Sequence, residues 1–258
     1  MVIDVHNHIN PDRIAEAVMK VMRSSGMTLF GSVTIGGLRS SMERAGIDGA
    51  VVFCLAEKPS VVKPANDFLI SVCDNKRLIG LGTIHPDYED YKEEIRRLRE
   101  NSIKGVKFNS LIQNFYPDDE KLFHIYEELG DDMIAFIHGG GPQATPQRLA
   151  RVLDGFPQMK VVIPHFGGQH DLEEAKRHIV GRNVYLDTSW PPRVADLPPE
   201  TVADIIKSHG SDKVLFGSDY PTADPKVEIE YIRSLPISDD EKERILWRNA
   251  KELFGFES

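Results

Sequence analysis

The chain has 258 residues, a length that suits one large domain or two small ones. Its 41% hydrophobic and 28% charged residues are ordinary for a soluble globular protein. The net charge of −9 at pH 7 argues against broad binding to nucleic acid or to an anionic membrane, because phosphate contacts need a basic surface.

Short β-branched apolar runs alternate with amphipathic helical stretches along the whole chain. Eight of these runs are predicted strands, at Val2–Val5, Gly49–Leu55, Leu78–Thr83, Gly105–Phe108, Met133–Ile137, Lys160–Ile163, Val184–Leu186 and Val214–Phe216. Their nearly continuous apolar character is typical of parallel strands that are buried on both faces.

Helical patterns lie between these strands. The predicted helices are Tyr88–Arg99, Asp118–Leu129, Pro199–Ser208, Val227–Leu235 and Ser238–Phe254. Asp118 is the expected N-cap of the second helix, and Ser238 with Glu241 forms a capping-box pattern at the start of the last one. Residues 25–37 are predicted as the longest glycine-rich loop.

Repeated strand–helix units with eight strands predict an α/β fold, a single (β/α)₈ TIM barrel over residues 1–258. An open doubly wound sheet is the competing architecture. It usually carries a glycine-rich phosphate loop after the first strand, whereas the first strand here ends in His-Asn-His. No linker or repeat divides the chain.

The ends of the chain and its cysteines indicate the cellular setting. The N-terminal MVIDVHNH lacks a basic region followed by an apolar one, and no apolar run approaches the roughly 20 residues that span a bilayer. A cytoplasmic location is the default expectation. Cys54 and Cys73 lie in apolar stretches without zinc-ribbon spacing, so any metal would be held mainly by histidine and carboxylate.

Histidines and an aspartate recur where predicted strands end. His6 and His8 project to the same side of an extended first strand, which gives half of a metal site. His138 and His165 each follow an apolar strand and precede a glycine-rich turn, and Asp219 follows the eighth strand. Because the strand ends of a parallel barrel meet on one face, we predict that these residues form one site.

The strand-end motifs resemble those of a known enzyme group. DVHNH, GVKF, FIHGGG, IPHFGG and FGSDYP, in this order, resemble the amidohydrolase superfamily. More narrowly, they resemble the amidohydrolase-related branch that includes aminocarboxymuconate-semialdehyde decarboxylase and the aromatic-acid decarboxylases. The similarity runs through nearly the whole chain and includes Asn66, the GTIHP segment at 82–86 and Asn249.

This resemblance implies a mononuclear metal site, often zinc. His6, His8, His138 and Asp219 would be the ligands, and His165 would be an acid/base group beside them, with Asp219 also able to handle a proton. Three imidazoles and a carboxylate suit zinc, with manganese or iron as alternatives. A bound metal lowers the pKa of its water to about 7 in favourable cases.

Lys107 on the fourth strand has two interpretations. In binuclear members of the superfamily a carboxylated lysine bridges two metals from roughly this place, so a second metal is an alternative to the mononuclear site. The preferred interpretation is that Lys107 neutralises a substrate carboxylate or pairs with an inner acid.

Other residues are weaker candidates. Asp4 is predicted to orient a metal ligand of the first strand. Trp190 after the seventh strand and His85 after the third are candidate walls of a substrate pocket. Arg39 and Arg193 are further candidates for binding a substrate carboxylate.

Three functions fit this pattern. The main prediction is a metal-dependent hydrolase that uses activated water on an amide, ester or lactone bond of a small molecule. The alternative is a non-oxidative decarboxylase of a small carboxylic acid, an aromatic one included. A third, from another class, is a catalytically inactive metal-binding barrel. The expected partners are a small-molecule substrate and, as in related enzymes, a second copy of the chain in a homodimer.

Overall fold

A computed structural model describes residues 1–257 and contains the eight predicted strands. The strands are β1 (Ile3–His8), β2 (Gly49–Phe53), β3 (Leu78–Gly82), β4 (Gly105–Phe108), β5 (Ile134–Ile137), β6 (Lys160–Ile163), β7 (Tyr185–Asp187) and β8 (Val214–Leu215). They form one eight-stranded sheet in chain order. The pairings from β3 to β7 are all parallel, as the alternating pattern predicts.

Helices follow the strands. The helices are α1 (Asp12–Ser24), α2 (Ile35–Ala45), α3 (Val62–Val72), α4 (Tyr91–Glu100), α5 (Glu120–Leu129), α6 (Pro146–Gly155), α7 (Leu172–His178), α8 (Pro199–His209), α9 (Pro225–Ser234), α10 (Asp239–Glu243) and α11 (Asn249–Phe254). None of the helices within residues 1–257 is both long enough and apolar enough to cross a membrane.

The chain divides into two compact units. Unit 1 consists of Met1–Val52, Asp74–Ile79 and the chain from Asp187 onward, and unit 2 consists of Phe53–Cys73 and Gly80–Leu186. A single domain over the whole chain therefore stays a prediction.

In unit 1 two sets of hydrogen bonds hold the short strand β8 and the residues that flank it. The Val5 N–H donates to the Phe216 carbonyl at 2.9 Å. The Asn249 side-chain amide donates to the carbonyls of Ser211 and Val214, at 2.7 and 2.8 Å. Because Asn249 and Val214 are buried, the bond to Val214 satisfies a backbone acceptor that water does not reach. These hydrogen bonds fix the strand from which Asp219 emerges.

In unit 2 a buried amide fixes the end of β3. The Asn66 side chain donates to the Thr83 carbonyl at 3.0 Å and accepts from the Thr83 N–H at 2.8 Å. It also donates to Glu94 of α4 at 2.7 Å. The Asn66 side chain thus satisfies both backbone groups of Thr83 and links the turn after β3 to α4.

Three local details differ from the sequence prediction. The N-cap of α5 is Asp119, which accepts from the Lys121 N–H, and not Asp118. Asp118 instead receives Arg148 at 2.6 Å, a charged partner that is stronger than a neutral backbone amide. The predicted loop 25–37 ends early, because α2 already begins at Ile35. The capping box at Ser238 is present, but the helix after it contains a π-helical segment at Arg244–Arg248.

Candidate active site

Three predicted ligands lie together in unit 1. An Asp219 oxygen is 3.2 Å from His6 Nε2 and 3.4 Å from His8 Nε2. His6 is almost fully buried, whereas the side chains of His8 and Asp219 are 20% and 14% exposed. We call this set the His/His/Asp triad. His8 and Asp219 are therefore the members of the triad that solvent reaches.

Backbone hydrogen bonds place the triad. The Tyr220 N–H donates to the His6 carbonyl at 3.1 Å, and the His8 N–H donates to the Tyr220 carbonyl at 2.9 Å. This pairing carries Asp219 alongside the end of β1. Asp219 has a φ of 63°, in the left-handed region that few residues other than glycine, asparagine and aspartate adopt readily. Such strained positions concentrate at functional sites.

A further carboxylate, Asp187, contacts the His6 ring. Asp187 Oδ2 lies 2.7 Å from His6 Nδ1, and both side chains are fully or almost fully buried. Gly217 makes this approach possible, since a Cβ there would lie 3.0 Å from both the Asp187 carboxylate and His6 Cβ. The sequence analysis did not single out Asp187. The available signal was its place at the end of the seventh strand, where the other site residues also occur.

The Asp4 carboxylate contacts backbone N–H groups and not a histidine ring. One Asp4 oxygen accepts from the His6 and Ser218 N–H groups, both at 3.0 Å, and the other accepts from the Ser218 hydroxyl. Burial raises the pKa of Asp4 to about 7, against the opposing effect of the Ser218 hydrogen bond. Asp4 therefore joins β1 to the loop that carries Asp219 and contacts the backbone of His6, and its role in orienting a metal ligand of the first strand stays a prediction.

Glu228 of α9 is a buried carboxyl beneath the loop that follows β7. One oxygen accepts from the Val194 N–H at 2.8 Å, and the other has no hydrogen-bond partner among the described residues. Burial raises the pKa of Glu228 to about 7; Arg193 opposes this shift, and Asp196 and Asp4 add to it. The folded protein therefore favours the protonated form of this side chain.

Substituting Glu228→Gln is expected to stabilise the protein at pH 8 and to change little at pH 5. The folded pKa of about 7 exceeds the ordinary value of 4.5, so the stability that the protonated carboxyl contributes is complete below pH 4.5 and is lost as the pH rises through 7. The gain at pH 8 is roughly 3 kcal/mol at most, at about 1.4 kcal/mol per pKa unit. Urea unfolding at both pH values measures it.

The exposed Glu230 of the same helix provides the control. Glu230→Gln should leave the free energy of unfolding unchanged at both pH values. An equal gain from Glu228→Gln at pH 5 and pH 8 would contradict a buried, titrating carboxyl.

In unit 2, His138 and His165 lie side by side. Their ring centroids are 5.1 Å apart in an edge-to-face arrangement, and both residues are buried. His138 directly follows β5, and its N–H donates to the Phe108 carbonyl at the end of β4. His165 has a φ of 59°, so it shares with Asp219 the left-handed backbone at a strand end. The matching motifs of the sequence thus give a matching pair of imidazoles.

Lys107 is fully buried between two aromatic rings. Its Nζ lies 3.9 Å from the centroid of Phe136 and 4.7 Å from that of Phe53. Phe136 is also its directly opposite partner in the β4–β5 pairing. The faces of aromatic rings carry negative potential and attract a cation. These contacts favour an ammonium group over the carbamate anion that a bridging lysine would carry.

His85 has a defined ring orientation. Its Nδ1 accepts the Asp87 N–H at 3.1 Å, so Nε2 carries the ring proton in the neutral form. Burial is the main cause that lowers the pKa of His85; Lys121 adds to it and Asp87 opposes it. His85 is therefore a neutral hydrogen-bond donor just beyond the end of β3.

The remaining candidates lie at the rim. Trp190 is half-buried in the loop after β7. The Arg193 guanidinium pairs with Asp196 and is half-exposed, so this arginine has a carboxylate partner within its own loop. Arg39 lowers the pKa of Asp74 in unit 1, the smallest of the effects on that carboxyl. No contact of these three residues with the His/His/Asp triad is described.

The triad fits a divalent metal ion. Donors bound to one ion at about 2.1 Å lie roughly 3.0 to 3.4 Å apart in octahedral or tetrahedral geometry. The separations of 3.2 and 3.4 Å match this range, and the donor atoms form one of the candidate metal-binding clusters of the described residues. Two imidazoles and a carboxylate are donors for zinc, manganese or iron.

Comparison with known proteins identifies the family. The amidohydrolase family model matches residues 3–256. The chain belongs to the amidohydrolase family. This membership confirms the superfamily that the strand-end motifs predicted.

Several decarboxylases are similar to this chain. γ-Resorcylate decarboxylase of Polaromonas sp. strain JS666 is 24% identical over 201 residues, which cover 70% of this chain and 58% of that enzyme. The solved structure of 5-carboxyvanillate decarboxylase from Novosphingobium aromaticivorans, with bound manganese, has a TM-score of 0.76 at 19% identity and covers 99% of this chain and 97% of its own. That of 2,6-dihydroxybenzoate decarboxylase from Rhizobium has a TM-score of 0.75 at 17% identity, with 98% of both chains covered.

These similarities confirm the predicted (β/α)₈ barrel fold. The curated relative, a decarboxylase, favours the alternative functional prediction over the main prediction of a hydrolase. The chain spans 58% of the length of the curated decarboxylase that it matches, so its own activity and substrate are matters of proposal.

Proposed function

We propose that this protein is a metal-dependent, non-oxidative decarboxylase of a small aromatic carboxylic acid. The observation that carries the proposal is the His/His/Asp triad, whose donor separations fit one divalent ion. Its relatives point to the reaction, since the curated one is a decarboxylase of an aromatic acid. Manganese, which one structural relative binds, and zinc are the candidate metals.

The roles of the residues follow from their chemistry. His6, His8 and Asp219 would hold the metal, and His138 is proposed as a fourth ligand because strand ends of a barrel share one face. A bound divalent ion would neutralise the substrate carboxylate and an oxygen next to it.

Asp219 and His165 are the two groups proposed to move the proton. The proton is transferred to the ring carbon that bears the carboxylate. The carbon–carboxylate bond then breaks, carbon dioxide leaves, and the bonding electron pair restores the aromatic ring. Substrate and proton thus become arene and carbon dioxide, with no oxidant required.

Lys107 supports a site with one metal. A bridging lysine would have to present a carbamate, whereas the Nζ of Lys107 is close to the faces of Phe53 and Phe136. One divalent ion per chain is therefore part of the proposal. A homodimer stays a prediction from the resemblance.

The test is a direct assay for carbon dioxide. The purified protein, loaded with Mn²⁺ or Zn²⁺, is incubated with 2,6-dihydroxybenzoate and with 5-carboxyvanillate, and the released carbon dioxide and phenol are measured together. Equal amounts of both products, abolished by a chelator and restored by metal, are the expected result.

Lactone, ester and amide substrates form the parallel arm. Metal-dependent hydrolysis of one of them without release of carbon dioxide from the acids would replace the proposal with the hydrolase. Binding of one metal per chain with no turnover in either arm would instead favour the inactive metal-binding barrel.

A further inference from the structure

We infer that Asp187 is a positioning residue that holds the His6 ring in the tautomer whose Nε2 is able to bind a metal ion. Ser189 assists by fixing the Asp187 carboxylate. This inference rests on the metal site of the proposed function. It assigns a role to the buried end of β7, which the proposed chemistry does not otherwise use.

The geometry of the His6 ring supports this role. Asp187 Oδ2 is 2.7 Å from Nδ1, and Asp219 is 3.2 Å from Nε2 on the other side of the ring. A carboxylate only accepts hydrogen bonds, so Asp187 keeps a proton on Nδ1, and Nε2 is then the nitrogen left to bind a metal ion beside Asp219. A second partner of this kind fixes the tautomer and orientation of metal-binding histidines in general.

The second oxygen of Asp187 is held by Ser189. Oδ1 accepts from the Ser189 N–H at 3.0 Å and from the Ser189 hydroxyl. The hydroxyl oxygen is also 3.2 Å from His6 Nδ1. Both carboxylate oxygens therefore face donors, and each must act as an acceptor.

An asparagine at position 187 cannot satisfy both the His6 ring and the Ser189 N–H. If its amide nitrogen faces His6, it donates to Nδ1 and forces the ring proton to Nε2, where it blocks metal binding. If its oxygen faces His6, the amide nitrogen meets the Ser189 N–H, and two donors oppose each other in a buried place. Asp187→Asn thus changes the hydrogen-bond pattern with almost no change of volume.

Asp4 provides a matched control. Asp4 and Asp187 are both fully buried carboxylates in unit 1, but Asp4 contacts the backbone of His6 and not its ring. In Asp4→Asn the amide oxygen can keep the N–H bonds of His6 and Ser218. The Ser218 hydroxyl, now a donor to Asp4, can rotate and accept from the amide. Both variants replace a buried carboxyl group with an amide, but only Asp187→Asn disturbs the ring.

The first measurement is the affinity for Mn²⁺, obtained by titration with detection of free Mn²⁺ by electron paramagnetic resonance. We expect Asp187→Asn to bind Mn²⁺ about 10- to 100-fold more weakly than wild type, which is the usual effect of losing such a partner. Asp4→Asn should lose clearly less. Equal losses in the two variants, or an Asp187→Asn affinity within twofold of wild type, would overturn the inference.

The second measurement does not depend on metal binding. Ring ¹⁵N–¹H spectra of metal-free protein with labelled histidine report which nitrogen carries the proton, and the His6→Ala variant assigns the His6 signals. Wild type should show His6 protonated at Nδ1. A His6 Nδ1 without a proton in the metal-free wild type would refute the inference even if Asp187→Asn does not fold. Absence of Mn²⁺ binding by wild type would contradict the proposed function, and the spectra would then decide the inference alone.

Discussion

Asp219→Asn is expected to reduce the rate of decarboxylation by roughly 10³-fold or more while the protein stays folded. The substitution removes the negative charge that lies within 3.4 Å of both imidazoles of the triad, together with a candidate proton carrier. Activity is measured as released carbon dioxide, and folding is measured by thermal unfolding of the metal-free protein.

Asparagine is the suitable replacement because it tolerates the left-handed backbone conformation of Asp219. Asp219 has a φ of 63°, which asparagine tolerates well and alanine does not. The hydrogen bond from the Thr222 hydroxyl to the Asp219 side chain, 2.9 Å long, can also be kept by an amide oxygen. If Asp219→Ala fails to fold while Asp219→Asn folds but is inactive, the backbone conformation at this position affects folding and the carboxylate affects catalysis.

Activity of Asp219→Asn within tenfold of wild type would contradict the proposed roles. The matched control is Asp224→Asn in the same loop, where the side chain caps α9 through the Lys226 N–H. This variant should cost some stability and leave the turnover rate unchanged, because Asp224 is outside the triad.

The strands were predictable because each is a short apolar run with turn residues around it. β4 and β6 have the predicted limits, and the other strands differ by one to three residues at an end. The largest such difference is in β1, which runs on beyond Val5 through His6 and His8. These polar residues interrupt the apolar run, and it is the backbone pairing with Tyr220 that keeps the end of β1 extended.

Side-chain partners were harder to predict than strands. Asp118 and Asp119 are adjacent, and only the positions of Arg148 and Arg151, some 30 residues away, decide which of them caps α5. The same holds for Asp4 and Asp187. The sequence shows that an aspartate is available near His6, but the contact with its ring depends on a residue 181 positions away.

At the site, positions that follow from strand geometry were predictable, whereas side-chain partners were not. Alternation along one strand predicts that His6 and His8 share a face, and strand-end position predicts that Asp219 joins them; the structure brings these three together. The tautomer of a ring is different, since it depends on which atom of a distant side chain faces which nitrogen. A pattern of residue types does not contain that information.

Substitution of His138 should affect metal binding and substitution of His165 should affect turnover, although the two rings are only 5.1 Å apart. His138→Ala is expected to lower the bound metal from about one ion per chain to nearly none, because an imidazole ligand is lost. His165→Asn is expected to keep the metal and to lose about 10²–10⁴-fold in turnover, the usual contribution of an acid/base group. Elemental analysis and the carbon dioxide assay on both variants measure the two effects.

Comparing the two variants distinguishes the roles of His138 and His165. Burial does not distinguish them, since both are buried. Asparagine suits position 165 because His165 has a φ of 59°, as at Asp219. Loss of metal in His165→Asn with retention in His138→Ala would exchange the two roles and make His138 the proton carrier. Loss of metal in both folded variants would mean that the pair binds the ion together, and Asp219 would then be the sole group able to move the proton.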